Sequence, residues 1–111
     1  MNIFYLDRDP IKAARMHHSK HVVKMVLEAA QLLCTAHHLS GNPNDVPYKK
    51  THMNHPSAIW VRSSRSNYMW CYKYMLALGA EYTRRYGKHH LVITKCRDVL
   101  ANVPHAIHAV D

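Results

Sequence analysis

The chain has 111 residues, enough for one domain with one hydrophobic core and too few for two, so it is read as a single domain over 1–111. Its 15 Lys and Arg outweigh 7 Asp and Glu, a formal charge of +8 that 11 His can raise further. That balance makes DNA or another nucleic acid the expected partner, ahead of a membrane, because no basic amphipathic segment of the membrane-surface type stands out. A merely basic surface is the plainer alternative. Cys34, Cys71 and Cys96 are widely separated, odd in number and without metal-type spacing, and are expected to be reduced core residues of a cytoplasmic protein. The opening MNIFYLDRD lacks the basic start and apolar run of a signal peptide, and no apolar stretch approaches spanning length.

In chain order, MNIFYL is expected to be an extended arm that packs Ile3, Phe4 and Leu6 onto helices. Asp9 followed by Pro10 is a helix start, with the carboxylate as N-cap and the proline in the first turn. The helix should run over 10–39 and end at Ser40, Gly41, Asn42 and Pro43. At about 100° per residue, His17, His21, Lys24, Glu28, Gln31, Thr35 and His38 share one narrow arc of it. Apolar residues flank that seam on both sides, so it must line a cleft or be covered by other polar groups. A turn-rich loop through Asp45, Pro47 and Tyr48 leads to THMNHPS, where Pro56 can open a second helix over 57–86. Trp60, Asn67, Cys71, Leu78 and Tyr82 form its expected core face, opposite Arg62, Arg65, Ser66, Lys73 and Arg84. Gly87 ends it, and a shorter third helix over 89–101 is stopped by Pro104. The expected fold is all-α: two long helices plus a shorter C-terminal helix, with an extended N-terminal arm.

Three constellations can carry chemistry. Glu28 on the seam, with His21 two turns and Lys24 one turn before it, can act as a general base or electrostatic stabiliser, or can be an ion pair to a cation of the second helix. His52, Asn54 and His55 sit in a loop feeding a helix N-terminus, where they can hold an anion or simply cap the helix. Glu81, Arg84, Arg85, Lys88, His89 and His90, interleaved with Tyr82 and Tyr86, suit phosphate contacts with base stacking, or a solvated helix end. The i, i+4 pair His17 and His21, with His52 or His55 as a third ligand, is an alternative metal site, although HExxH, paired-Cys and acidic-cluster patterns are missing. No cofactor is expected.

The segment KHVVKMVLEAAQLL, preceded by an extended arm and followed by a loop with NHP and a long helix with AEYTRRYG, resembles the phage endonuclease V family of pyrimidine-dimer DNA glycosylases. It also resembles small phage proteins sharing this helical pattern. The resemblance covers most of the chain and implies a compact helical protein in the host-cell cytoplasm. It further implies that the N-terminal amine attacks the sugar C1′ of a damaged pyrimidine nucleotide to form an imine, while a Glu on the first long helix supports glycosidic cleavage and the following strand break. Carried over, Glu28 takes the carboxylate role with His21 and His55 beside it, and Met1 supplies the amine, since Asn2 is bulky enough for the initiator to be retained. An α-amino group, with a reference pKa of about 7.7 to 8.0, can be nucleophilic near neutrality where a lysine mostly cannot. The family's arginines flanking the Glu give way to Leu27 and Gln31, which leaves Lys24, Arg62 or Arg85 to hold phosphate. A non-enzymatic nucleic-acid-binding protein relying on Arg62, Arg65, Lys73 and Arg84, and a His-ligated metal-dependent hydrolase, remain the alternatives.

Overall fold

A 22-residue helix, α4 (Arg65–Tyr86), forms the axle of the fold because its apolar positions recur round most of its circumference. Tyr68, Cys71, Tyr74, Met75 and Leu78 are all completely buried. The computed structural model describes residues 8–16, 19–40 and 46–108, and among them every regular element is helical, as the sequence leads one to expect. Around α4 pack α1 (Pro10–Arg15), α2 (Ser19–Leu39), α3 (Pro56–Arg62) and α5 (Leu91–Leu100), followed by the short α6 (His105–His108). The expected arm with Ile3, Phe4 and Leu6, together with Met1 and His17, lies outside the described residues. No helix among the described residues is long and apolar enough to cross a membrane.

Cross-helix contacts fix the directions. His37 meets Tyr68, the Cys71 thiol reaches the Ala29 carbonyl, and His90, just beyond the end of α4, reaches the Val23 carbonyl, so α2 runs antiparallel to α4. Trp70 donates to the Arg8 carbonyl while Arg15 lies beside Glu81, so α1 runs parallel to α4. Those two directions correct the expectation of one helix over 10–39. A continuous rod cannot lie on α4 both ways: α1 closes at Met16, and α2, from Ser19, runs in the opposite direction. Tertiary packing overrides local propensity there. At the start of α1 the expected cap is present, with Asp9 accepting from the Ile11 amide at 2.9 Å.

The second expected helix is also broken. Ser63 closes α3 with its hydroxyl on the Ile59 carbonyl, and Ser64 turns extended and caps α4 by accepting from the Asn67 amide. Asn67 in turn donates to the Trp60 carbonyl and fixes the corner. Gly87 ends α4 in the left-handed conformation, φ 72°, where a Cβ would be strained. Gly79 has a different reason: a Cβ there would come within 2.5 Å of Ile93, so its absence lets α5 close onto α4.

The far end of the bundle is joined through a buried phenol. Tyr68 donates to the Leu100 carbonyl at 2.7 Å and Tyr72 donates to the Arg97 carbonyl at 2.6 Å, satisfying last-turn acceptors of α5. With its only hydrogen committed to Leu100, the Tyr68 hydroxyl accepts from His37 Nε2 at 2.8 Å. His37 is 8 % exposed, and burial holds its imidazole below the ordinary histidine value. The folded state thus resists a proton that the unfolded chain accepts. The stability linked to His37 is complete above about pH 6.5, the unperturbed histidine value, and declines as pH falls through the depressed folded value. Replacing His37 with Gln, which can still donate to Tyr68, is expected to flatten the pH dependence of urea-unfolding stability below about pH 6.5; an unchanged slope would remove His37 from that role.

Candidate functional site

The polar seam of α2 divides into two parts with different fates. Its C-terminal part is covered. Thr35 is completely buried, and its hydroxyl both donates to the Thr51 carbonyl at 3.2 Å and accepts from the Thr51 amide at 3.1 Å. One step along, His38 Nε2 donates to the Tyr48 carbonyl at 2.8 Å. The segment 46–55 is therefore laid on α2 by side chains that mimic a neighbouring strand. Arg62 clamps it from the other side through the Met53 carbonyl, at 2.6 Å.

The N-terminal part of the seam lines an open hollow of about 540 Å³. Val23, Leu27 and Val92 make its apolar walls, and Lys24, Glu28, Gln31, His52 and His90 supply polar groups. That size and mixture suit a small planar ligand with a few oriented polar contacts. Glu28 is half-buried, and no hydrogen bond or ion pair reaches its carboxylate among the described residues. Beneath the seam the Tyr74 phenol is pushed well above its ordinary value, by burial first and then by Cys71 and Glu28, and so stays protonated. His90 is a fixed wall: Nδ1 accepts from the Val92 amide as the N-cap of α5, and Nε2 donates to the Val23 carbonyl at 3.2 Å.

His52 enters the hollow at a conformational cost. Its φ of 47° is the sole left-handed non-glycine backbone among the described residues, placed where the Thr51 bonds end and the turn to His55 begins. Non-glycine residues held there cost on the order of 1 kcal/mol and persist where the surroundings enforce them. The exposed imidazole faces the same hollow as Glu28.

The expected group of Glu28, Lys24, His21 and His55 is thus only partly assembled. Glu28 and Lys24 are in the hollow, but His21, exposed on α2, and His55 are not among its lining residues. His55 is the N-cap of α3, its Nδ1 accepting from the Ser57 amide at 3.1 Å, which is the capping use of that loop. His52 and His90 line the hollow with Glu28, where His21 and His55 are expected from the sequence. The signal for His52 was its loop position, while nothing local in the sequence placed His90 against α2. Among the described residues no three His, Cys, Asp or Glu side chains gather where an ion could be held, and His17 of the alternative metal set lies outside them.

Of the expected phosphate-binding cations, several are tied up. Glu81, only 6 % exposed, takes Arg84 at 2.7 Å, Arg85 at 3.0 Å and Arg15 at 3.7 Å. Hydrogen bonding from Arg84 is the main reason its carboxyl lies below the usual carboxylate range. Arg85 is nearly covered, and reaches the Arg15 carbonyl as well. A second cleft of about 630 Å³ between α1 and α4 has this neutralised carboxylate and Lys73 in its walls. Arg65 and Lys73 flank Trp70 on the outer side of α4, and Lys24 and Lys88 are exposed near the hollow end of the bundle. Comparison with known proteins returns nothing: no family model, no curated protein and no solved structure matches the chain.

Two replacements test the geometry. In Thr35→Val the shape is kept but both Thr51 backbone groups lose their partner, and stability should fall by about 1 to 3 kcal/mol in chemical denaturation. At position 52 glycine should match or exceed the parent in stability, whereas valine should cost about 1 to 2 kcal/mol, because a β-branched residue is poorly accommodated at positive φ. Equal melting temperatures for His52→Gly and His52→Val would show that the left-handed turn is not enforced.

Proposed function

We propose that the chain binds DNA and acts on it as a glycosylase and lyase for damaged pyrimidines, with Glu28 as the reactive carboxylate and the hollow around it receiving the nucleotide. What carries this reading is the contrast between its two helix-borne glutamates. Glu81 is held by three arginines, whereas Glu28 opens onto a cavity with no cation paired to it among the described residues. A carboxylate so placed can take a proton from, or stabilise positive charge on, a sugar undergoing substitution. In the chemistry implied by the endonuclease V resemblance, the Met1 amine attacks C1′, the base departs, and an imine links the chain to the sugar before the strand breaks. Here His52 lines the same hollow as Glu28, and Lys24 on its wall offers a cation for phosphate. A formal charge of +8 supports a DNA partner, and action in the cytoplasm follows from the same reading.

A second reading, non-enzymatic binding, is favoured by the exposed Arg65, Lys73 and Lys88, which could hold a backbone without any carboxylate. The two separate cleanly. Glu28→Gln should lower cleavage of ultraviolet-damaged duplex by about 10²- to 10⁴-fold while leaving salt-sensitive binding intact. Borohydride should trap a covalent adduct at residue 1. Binding with neither cleavage nor adduct would leave only the second reading, and cleavage untouched by Glu28→Gln would remove Glu28 from the chemistry.

A further inference from the structure

The wall of the hollow continues into an aromatic pair. His90 meets the Tyr82 ring edge-on at 4.8 Å, and Tyr82 lies 5.0 Å from Tyr86, one helical turn further along α4, at a tilt of 37°. The same His90 ring is anchored to the Val23 carbonyl inside the hollow, so three rings lead from the cavity to the end of α4. Tyr86 is 45 % exposed, with Tyr82 behind it, and the next residue is the Gly87 cap, beside which a Cβ would meet only open space. The surrounding segment RRYGKHH carries cations and no acid. Arg84 is 68 % exposed even while it binds Glu81, and Lys88 is exposed.

An exposed tyrosine ring beside cations selects a particular form of nucleic acid. An intact duplex offers base edges in its grooves, so a tyrosine face finds a base to stack on only where the strand is unpaired. The hollow has the same requirement, since a base can enter it only after leaving a helix. A cavity and a ring platform joined by one histidine thus ask for neighbouring unpaired nucleotides.

We propose that Tyr86, backed by Tyr82 and His90, is a stacking platform for an unpaired base next to the one held in the Glu28 hollow, and that the preferred ligand is a locally single-stranded DNA rather than an intact duplex. The proposal rests on the reading that nucleic acid occupies the hollow, but not on any reaction of Glu28.

The test compares the full chain with Tyr86→Ala, Tyr86→Leu and Tyr86→Phe. Fluorescence anisotropy is read on an oligothymidylate and on an intact duplex of equal length, over a range of salt, with circular dichroism to verify folding. The parent should bind the single strand more tightly. Ala and Leu should weaken that binding about tenfold with the salt slope unchanged, Phe should retain it, and duplex binding should hardly move. A Tyr86→Ala effect that is equal on both ligands, or absent, overturns the platform while leaving the Glu28 reading to its cleavage assay. Failure of the parent to bind the single strand overturns the platform, and cleavage of damaged duplex by the same preparation then decides the Glu28 reading by itself.

Discussion

The buried hydroxyl of Thr35 is the constraint on which the candidate site depends. A polar group with no access to water must find partners inside the protein, and this one finds the amide and the carbonyl of Thr51 together. The pairing sets the register of segment 46–55 against α2. The next residue, His52, follows directly on this fixed point, takes the left-handed backbone and lines the hollow. Sliding the loop by one residue would break both bonds at once and withdraw the imidazole.

The positive charge of the chain does two kinds of work. Arg15, Arg84 and Arg85 converge on Glu81 and rivet α1 to the C-terminal end of α4, while Arg62 clamps the loop that carries His52. Lys24, Arg65, Lys73 and Lys88 are exposed. A simple count of basic residues therefore overstates what is offered to a polyanion, because a guanidinium already bonded to a carboxylate or a carbonyl has part of its charge and its donors engaged, exposed or not. Rigidity near the hollow benefits from this division. The arginine cluster fixes the end of α4 from which Tyr86 and the Gly87 turn project.

Much of this architecture can be read from local chemistry. Asp9 with Pro10, Gly87 as a terminator, the buried cysteines and the polar seam of α2 are each decided by a few neighbouring residues, and each stands in the structure. The two helix breaks differ in kind. Ser63 and Ser64 carry a recognisable capping signal, and the α3–α4 corner could have been found from it. Between Arg15 and Ser19 nothing local demands a reversal; it follows from α1 and α2 lying on α4 in opposite directions, a property of the assembled bundle. The neighbours of Glu28 follow the same rule. Helical periodicity brings in Lys24 and Gln31, whereas His90 is brought in by its bond to the carbonyl of Val23, 67 residues before it in the chain.

Two things separate the two glutamates: the order of charges along each helix, which the sequence already shows, and what the facing elements bring, which only the fold shows. Glu81 has arginines following it at i+3 and i+4, the arrangement in which a carboxylate precedes its cation along a helix and pairing is favoured, and a third guanidinium arrives from α1. Glu28 has Lys24 preceding it by one turn, the less favourable order, and the facing elements bring it a hydroxyl-bonded loop and two histidines instead of an arginine. Among the described residues, then, Glu81 is enclosed by arginines while Glu28 stands on the wall of an open hollow to which the facing elements bring histidines.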